Sequence, residues 1–441
     1  LAPYLLINVV SFIGGNMNLY IKLVLSGFVA IGAYSSLQQT SDTSKQPASF
    51  GSISGIVNQT KGEKSVLLND PSMQKNWAYN KAIKSNINAD KAWQISQGDR
   101  QIVVAVIDTG MDIKHPDLQA NLWKNPGESG LDEKGRDKAT NGLDDDKNGF
   151  IDDVHGWNFV GKNHDLKDNH GHGTHVAGIV GAEGGNNIGI SGVAPKVSIM
   201  VLKYYDPKSA YNNNLLHTIQ AIRYANKMGA HIINYSGGGN EFSAEEFKAI
   251  KESQEKGILL VAAAGNEKHN SDKLRYYPAN YKLDNIISVT AINTSTEVLT
   301  SSNYGIETVH LAAPGKEIFS TIPGGKYGVL TGTSQAAPFV SGVAVLLKSK
   351  NPEMTYLEVK QQILSTAEYQ QSLKGKASTA GILNSWAALA MQGSNRNVAG
   401  AITQSSQEFF AASETDAVVP NTNNTNINDL AELVEAFANQ L

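Results

Sequence analysis

Five short apolar runs decide the architecture open to this chain. QIVVAVIDTG (residues 101–110), VSIMVLKY (197–204), HIINYS (231–236), ILLVAAAGN (258–266) and NIISVTAI (285–292) are near-continuous in apolar residues. A strand that is apolar on both faces must be covered on both, as in a parallel sheet packed between helices. Helical patterns separate the runs. NNNLLHTIQAIRYANKMG places Leu215, Ile219, Ile222 and Ala225 on one face and stops at Gly229. SAEEFKAIKESQEKG opens with Ser243 and Glu246 at capping-box spacing and stops at Gly257. Strands alternating with helices predict an α/β fold, a mainly parallel central sheet covered by helices on both faces. In such sheets ligands bind beyond the carboxyl ends of the strands. Asp108 and Asn266 both fall at ends of that kind.

The flanks of this pattern read differently. MNLYIKLVLSGFVAIGAYS, from Met17, has Lys22 in a short basic region, an apolar run from Leu23 to Ala33, and AYS as a cleavage box. The run is short for a membrane span, which favours a signal peptide over an uncleaved anchor helix. The expected layout is a signal region over 1–35 with Met17 as the true start, then a linker or short pro-segment over 36–77. A folded domain over 78–391 and a polar, mobile tail over 392–441 complete it. With 41% hydrophobic residues a large core is within reach. A net charge of −4 argues against a nucleic-acid partner, because no basic surface is concentrated enough to displace counterions. The absence of cysteine removes disulfides, thiolate metal sites and cysteine nucleophiles together.

Three of the ten histidines, His170, His172 and His175, crowd into DNHGHGTHVAG (168–178). A zinc hydrolase helix would carry two histidines four apart with an acidic residue beside the first. Here the spacings are two and three, and Asp168 is the nearby carboxylate, so three convergent ligands are awkward. The competing assignment needs one histidine and two distant partners. GTSQAAPFVSGVAVLLKSK (332–350) puts Ser334 at a turn opening an apolar helix, where helix-start amides favour developing negative charge. A serine hydroxyl is a poor nucleophile until a base takes its proton. A buried carboxylate must then hold the imidazole tautomer, and Asp108 fits that role.

VAVIDTGMDIKHPDL, NHGHGTHVAGIVGA, GVAPKVSIMVLK, VAAAGNE, SSNYG, LAAPG and GTSQAAPFVSGVAVLL together resemble the subtilisin-like serine peptidases, over roughly residues 78–391. The resemblance implies that family's three-layer fold. It makes Asp108 the orienting acid, His172 the general base and then acid, and Ser334 the nucleophile. Asn266, aided by the Ser334 N–H, becomes the oxyanion donor, with Thr333 as a supporting contact. His175 is left to pack in the following helix and His170 to sit in a loop. The expected protein is a monomeric endopeptidase, secreted or in the cell envelope. It would act on protein or peptide substrates, without a nucleic-acid partner and without stable membrane association after signal cleavage.

The substrate would lie as an added strand along Ser236, Gly237 and Gly238 in NYSGGG. The family carries a bulky residue where Gly237 stands, so one pocket wall lacks a side chain; three glycines also suit a flexible turn. Two rival functions remain. A non-catalytic peptide-binding scaffold on the same fold would be expected to have lost one of the four site residues, and all four are present. A dedicated processing protease would share the chemistry but leave unfolded casein mostly intact.

DDDKNGFIDD (144–153) adds a second site. Asp144, Asp146 and Asn148 alternate, Gly149 allows a sharp turn, Phe150 offers its carbonyl, and Asp152 or Asp153 completes the set. His155 stands where an EF-hand loop has its bidentate Glu, so that motif is incomplete. A run of carboxylates repels itself unless a cation sits among them. The expectation is a structural Ca2+ rather than a solvated acidic loop, with no cofactor for catalysis.

Overall fold

Side-chain alternation along β1 (Gly98–Asp108) builds two cores at once. Ile102, Val104 and Val106 face one, while Val103, Ala105 and Ile107 face the other. The computed structural model describes residues 70–210 and 213–391, so the signal-like segment, most of the expected linker and the tail lie outside the described residues. The further strands are β2 (Gly156–Asn158), β3 (Lys196–Lys203), β4 (Ile232–Tyr235), β5 (Leu259–Ala263), β6 (Ile286–Ile292), β7 (Leu311–Pro314), β8 (Ile318–Ile322), β9 (Lys326–Leu330), β10 (Glu368–Tyr369) and β11 (Gly381–Ile382). Nine of them form one sheet in the order β10-β11-β7-β6-β5-β4-β1-β3-β2, and β8 and β9 form a separate hairpin. Every neighbouring pair in the large sheet is parallel except β10 with β11. The five apolar runs are β1, β3, β4, β5 and β6, as their composition predicts.

The helices are α1 (Ala89–Ala92), α2 (His172–Gly181), α3 (Asn214–Lys227), α4 (Ala244–Glu255), α5 (Thr333–Lys350), α6 (Tyr356–Ser365) and α7 (Ser385–Ala390). α2 and α5 cover one face of the sheet, and α3 and α4 the other. Phe339, Val340, Val343, Leu346 and Leu347 of α5 are fully buried, each contributing about 1.5–3 kcal/mol. On α3, Ile219, Ile222 and Ala225 are buried as their spacing predicts, but Leu215 lies in the first turn and is 46% exposed.

α4 departs from expectation at its start. Ser243 Oγ accepts the Glu246 N–H at 3.2 Å. The Glu246 carboxylate does not return to close a capping box: it turns inward and accepts the Tyr281 hydroxyl at 2.8 Å. Burial there raises its carboxyl pKa. The complete capping box belongs instead to Thr355 and Glu358 at α6.

Strand order places the site. β1 has β3 on one side and β4 on the other, and the chain changes sides between them. Such a reversal opens a crevice at the carboxyl ends of the strands. Asp108 ends β1 and Ser236 follows β4, so both border that crevice. At the chain's entry the folded body already includes Asp70. Its buried carboxylate accepts the Gly185 and Asn187 N–H groups and the Ser191 hydroxyl. Among the described residues no helix is long and apolar enough to cross a membrane.

Candidate active site

β1 delivers Asp108 to the crevice with 3% exposure. Its Oδ1 accepts the Thr109 N–H at 2.8 Å and lies 2.7 Å from His172 Nδ1. A carboxylate in that position makes Nδ1 the protonated nitrogen and leaves the Nε2 lone pair facing outward. Burial opposes charge on His172, but the Asp108 carboxylate beside it, with Asp168 behind, outweighs burial and raises its pKa. α2 can approach β1 this closely because Gly173 has no side chain. A Cβ there would sit 2.1 Å from the Gly110 carbonyl and 3.1 Å from Asp108 Cβ. Asp168, given no role by sequence, holds the turn: its carboxylate accepts the N–H groups of His170, Gly171 and Thr174 and the Thr109 and Thr174 hydroxyls.

Ser334 is half-exposed in an otherwise buried helix start. Its hydroxyl donates to the Ser236 carbonyl at 2.9 Å, and the Ser236 hydroxyl donates to the Ser334 carbonyl at 3.0 Å. Asn266 follows β5 on an exposed shoulder. Its Oδ1 accepts the Thr333 N–H at 3.0 Å and the Thr333 hydroxyl at 3.3 Å, which leaves Nδ2 free to donate. Gln335, next to the nucleophile position and unremarked in the sequence, brings Nε2 to 3.5 Å from His172 Nε2.

The Ser236–Gly237–Gly238 segment runs beside Ser334 with the backbone groups of both glycines unpaired, while Gly239 pairs with Tyr277 at 2.7 and 2.9 Å. Gly237 lacks a side chain for a packing reason. A Cβ there would lie 2.4 Å from the Tyr204 hydroxyl and 2.9 Å from the Tyr235 ring. The space that a side chain at Gly237 would take is therefore occupied by Tyr204, which follows β3 and which no local motif singles out. His175 is fully buried and donates from Nε2 to the Ile318 carbonyl at 2.9 Å. Burial pushes its pKa down to about 4, so it is a neutral packing residue. His170 is exposed, its ring 6.1 Å from that of His172.

The acidic loop is arranged otherwise than its spacing implies. Asp146 and Asp153 converge with Glu128, their oxygens within 4.8 Å of one another. Glu128 comes from a preceding loop, is fully buried, and leaves Oε2 without a partner. Asn148 Nδ2 donates to Asp146 at 3.2 Å and to Asp153 at 2.8 Å, so it backs the cluster. Asp144 is not part of it. Both of its oxygens accept backbone N–H groups, of Asn148 at 2.9 Å and Gly149 at 2.7 Å. Asp152 accepts the Gly142 N–H, and the Phe150 ring packs edge-on against Trp157 and Tyr224. His155 Nδ1 faces the Trp123 carbonyl at 2.7 Å. Burial raises the Glu128 and Asp153 pKa values, with added repulsion from neighbouring carboxylates.

The chain is similar to known peptidases in sequence and in fold. A model of the subtilase family of peptidases matches residues 99–407. Subtilisin-like protease 1 of Plasmodium falciparum (isolate 3D7) is 35% identical over 296 residues, covering 63% of this chain and 42% of that protein. The thermophilic serine proteinase of Bacillus sp. (strain AK1) is 35% identical over 283 residues, covering 64% of this chain and 60% of that one. The chain thus spans under two thirds of these relatives. Among solved structures, a protease of Pseudoalteromonas arctica PAMC 21717 superposes with a TM-score of 0.55 at 27% identity, over 73% of this chain and 98% of the other.

Proposed function

This chain belongs to the subtilase family, and on that premise we propose that it is a secreted serine endopeptidase working through Asp108, His172 and Ser334. The observation that carries the proposal is the 2.7 Å Asp108–His172 contact at the mouth of the crevice that also holds Ser334 and Asn266. Rotation about the Ser334 Cα–Cβ bond frees its hydroxyl from Ser236 and turns it to His172 Nε2. His172 takes the proton as Ser334 Oγ attacks the substrate carbonyl, and Asp108 balances the imidazolium. Asn266 Nδ2 and the Ser334 N–H receive the oxygen's developing charge. His172 then protonates the leaving amine, and water releases the acyl group by the same steps. The substrate backbone pairs with the free groups of Gly237 and Gly238.

The Glu128, Asp146 and Asp153 cluster fits a hard cation, because its donors are all oxygen and one buried oxygen has no partner. Ca2+ there would neutralise three converging carboxylates and stabilise the fold, with no part in the chemistry. The segment from Met17 to Ser35 supports export, and a monomer suits the role. The test is an intact-mass spectrum of the exported, calcium-loaded chain after exposure to a fluorophosphonate, with Ser334→Ala as control. Stoichiometric labelling of the parent alone is expected. No labelling of a folded parent brings the non-catalytic scaffold forward.

A further inference from the structure

The substrate residue that supplies the scissile carbonyl has one place for its side chain. Its carbonyl carbon must reach Ser334 Oγ, its oxygen must face Asn266, and its backbone runs beside Gly237 and Gly238. The side chain therefore enters the gap between residues 236–238 and 264–266. Both walls carry glycine where they meet Tyr276. A Cβ at Gly238 would lie 2.6 Å from Tyr276 Cε1, and one at Gly265 would lie 2.9 Å from Tyr276 Cγ. The ring thus spans the gap from wall to wall, although a Cβ would meet other atoms sooner, the Tyr277 carbonyl at Gly238 (2.3 Å) and the Asn303 and Glu267 side chains at Gly265 (2.3 and 2.5 Å).

The backbone that carries the ring is held in place. The Tyr276 N–H donates to Asn280 Oδ1 at 2.6 Å and its carbonyl accepts the Asn280 N–H at 3.0 Å. The next residue, Tyr277, is paired in both directions with Gly239, the neighbour of Gly238. These bonds fix the backbone from which the ring projects. Half-buried, and with no protein partner for its hydroxyl among the described residues, the ring presents a floor to an incoming side chain.

We propose that Tyr276 closes the pocket for the residue preceding the scissile bond and restricts it to small uncharged side chains: glycine, alanine or serine. The proposal rests on the serine-peptidase function above and deepens it. A leucine, phenylalanine or lysine side chain would need the volume that the Tyr276 ring occupies.

The test uses the full chain and three covalent probes read by intact mass. A simple fluorophosphonate without a peptide reports on Ser334 alone. Two peptidyl phosphonates, with alanine or phenylalanine at the reacting residue, report on the pocket. The parent should react with the alanine probe at least about tenfold faster than with the phenylalanine probe. Tyr276→Gly should raise the phenylalanine-to-alanine rate ratio by about tenfold or more, while Tyr276→Phe, which keeps the ring, should leave it near the parent value. A parent that takes phenylalanine as fast as alanine overturns the proposal, as does an unchanged ratio in Tyr276→Gly that still reacts with the simple probe. If Tyr276→Gly fails to fold, the parent ratio decides, with Tyr276→Ala as the second opening variant. Failure of the simple probe on the parent is a different result, since it removes the serine-peptidase function itself.

Discussion

Ser334 and Ser236 exchange hydrogen bonds, each hydroxyl donating to the other's carbonyl, at 2.9 and 3.0 Å. The exchange has a cause in the sequence. Pro338 stands four residues after Ser334 and has no N–H, so the Ser334 carbonyl lacks its helical partner. The Ser236 hydroxyl takes that place. It is itself held by Asn234 Nδ2 at 3.0 Å, and Asn234 Oδ1 by the Ser341 hydroxyl at 2.8 Å. Ser236→Ala should therefore strand two buried polar groups and lower stability by about 1–3 kcal/mol. It should also slow fluorophosphonate labelling of Ser334. Urea unfolding and labelling rates check this, and a variant unchanged in both would show that the exchange does not matter.

The Asp108–His172 contact sets the pH response. His172 must be neutral to accept the serine proton, and Asp108, overcoming burial, holds its pKa above the ordinary imidazole value. Labelling of Ser334 should therefore fall as pH drops through a value above that of a free histidine. The sign for stability is opposite. A raised pKa stabilises the protonated fold, so this contribution is fully present below the unfolded-state pKa and is lost as pH rises through the folded one. Asp108→Asn should move the acid limb to lower pH, because burial is then opposed only by the more remote Asp168, and reduce the rate by ~10⁴. A limb that stays in place would mean that Asp108 does not set it.

The sheet was legible because β1, β3, β4, β5 and β6 are buried on both faces, which leaves a near-continuous apolar run in the sequence. In the hairpin β8–β9, β8 buries serine and threonine among its apolar residues and β9 is half-exposed, so neither gave such a signal, although the Ile318 carbonyl fixes His175. At the site, motifs marked Asp108, His172, Asn266 and Ser334, since each lies at the end of a regular element. Tyr204, Tyr276 and Glu128 were not legible. Each lies outside the motif it packs against, Glu128 against the acidic loop and the tyrosines beside Gly237, Gly238 and Gly265, and a lone tyrosine or glutamate carries no local pattern. The glycines at 237, 238 and 265 were visible, but they mark absences. Only packing shows which side chain fills each.

Asn266 and Thr333 separate a donor from its support. Thr333 presents both its N–H and its hydroxyl to Asn266 Oδ1, the N–H at the shorter distance, 3.0 Å. Thr333→Val removes only the hydroxyl, so Asn266 should stay oriented and turnover should fall by less than about tenfold. Asn266→Ala removes the donor and should lower kcat by ~10²–10³ with little change in KM. Steady-state kinetics on one peptide checks both. Equal losses would show that the hydroxyl, not the N–H, carries the orientation.

Two carboxylates, Glu128 and Asp144, should answer differently to calcium. Glu128 is fully buried with one oxygen unpartnered, and burial, with Asp153 and Asp146 nearby, raises its pKa and so makes ionisation costlier. A cation bound only by the folded state adds about 2.7 kcal/mol when its concentration is a hundred times Kd. Chelation should therefore lower Tm. In Glu128→Gln a repelling charge is gone and a ligand is lost, so the gap between Tm with calcium and Tm with chelator should narrow. Asp144 spends its oxygens on the N–H groups of Asn148 and Gly149. Asp144→Asn should weaken that turn in both conditions and leave the gap largely intact. Calorimetry of the two variants with and without calcium decides between them. A gap that closes in Asp144→Asn and persists in Glu128→Gln would return the cation to the alternating loop positions and away from Glu128.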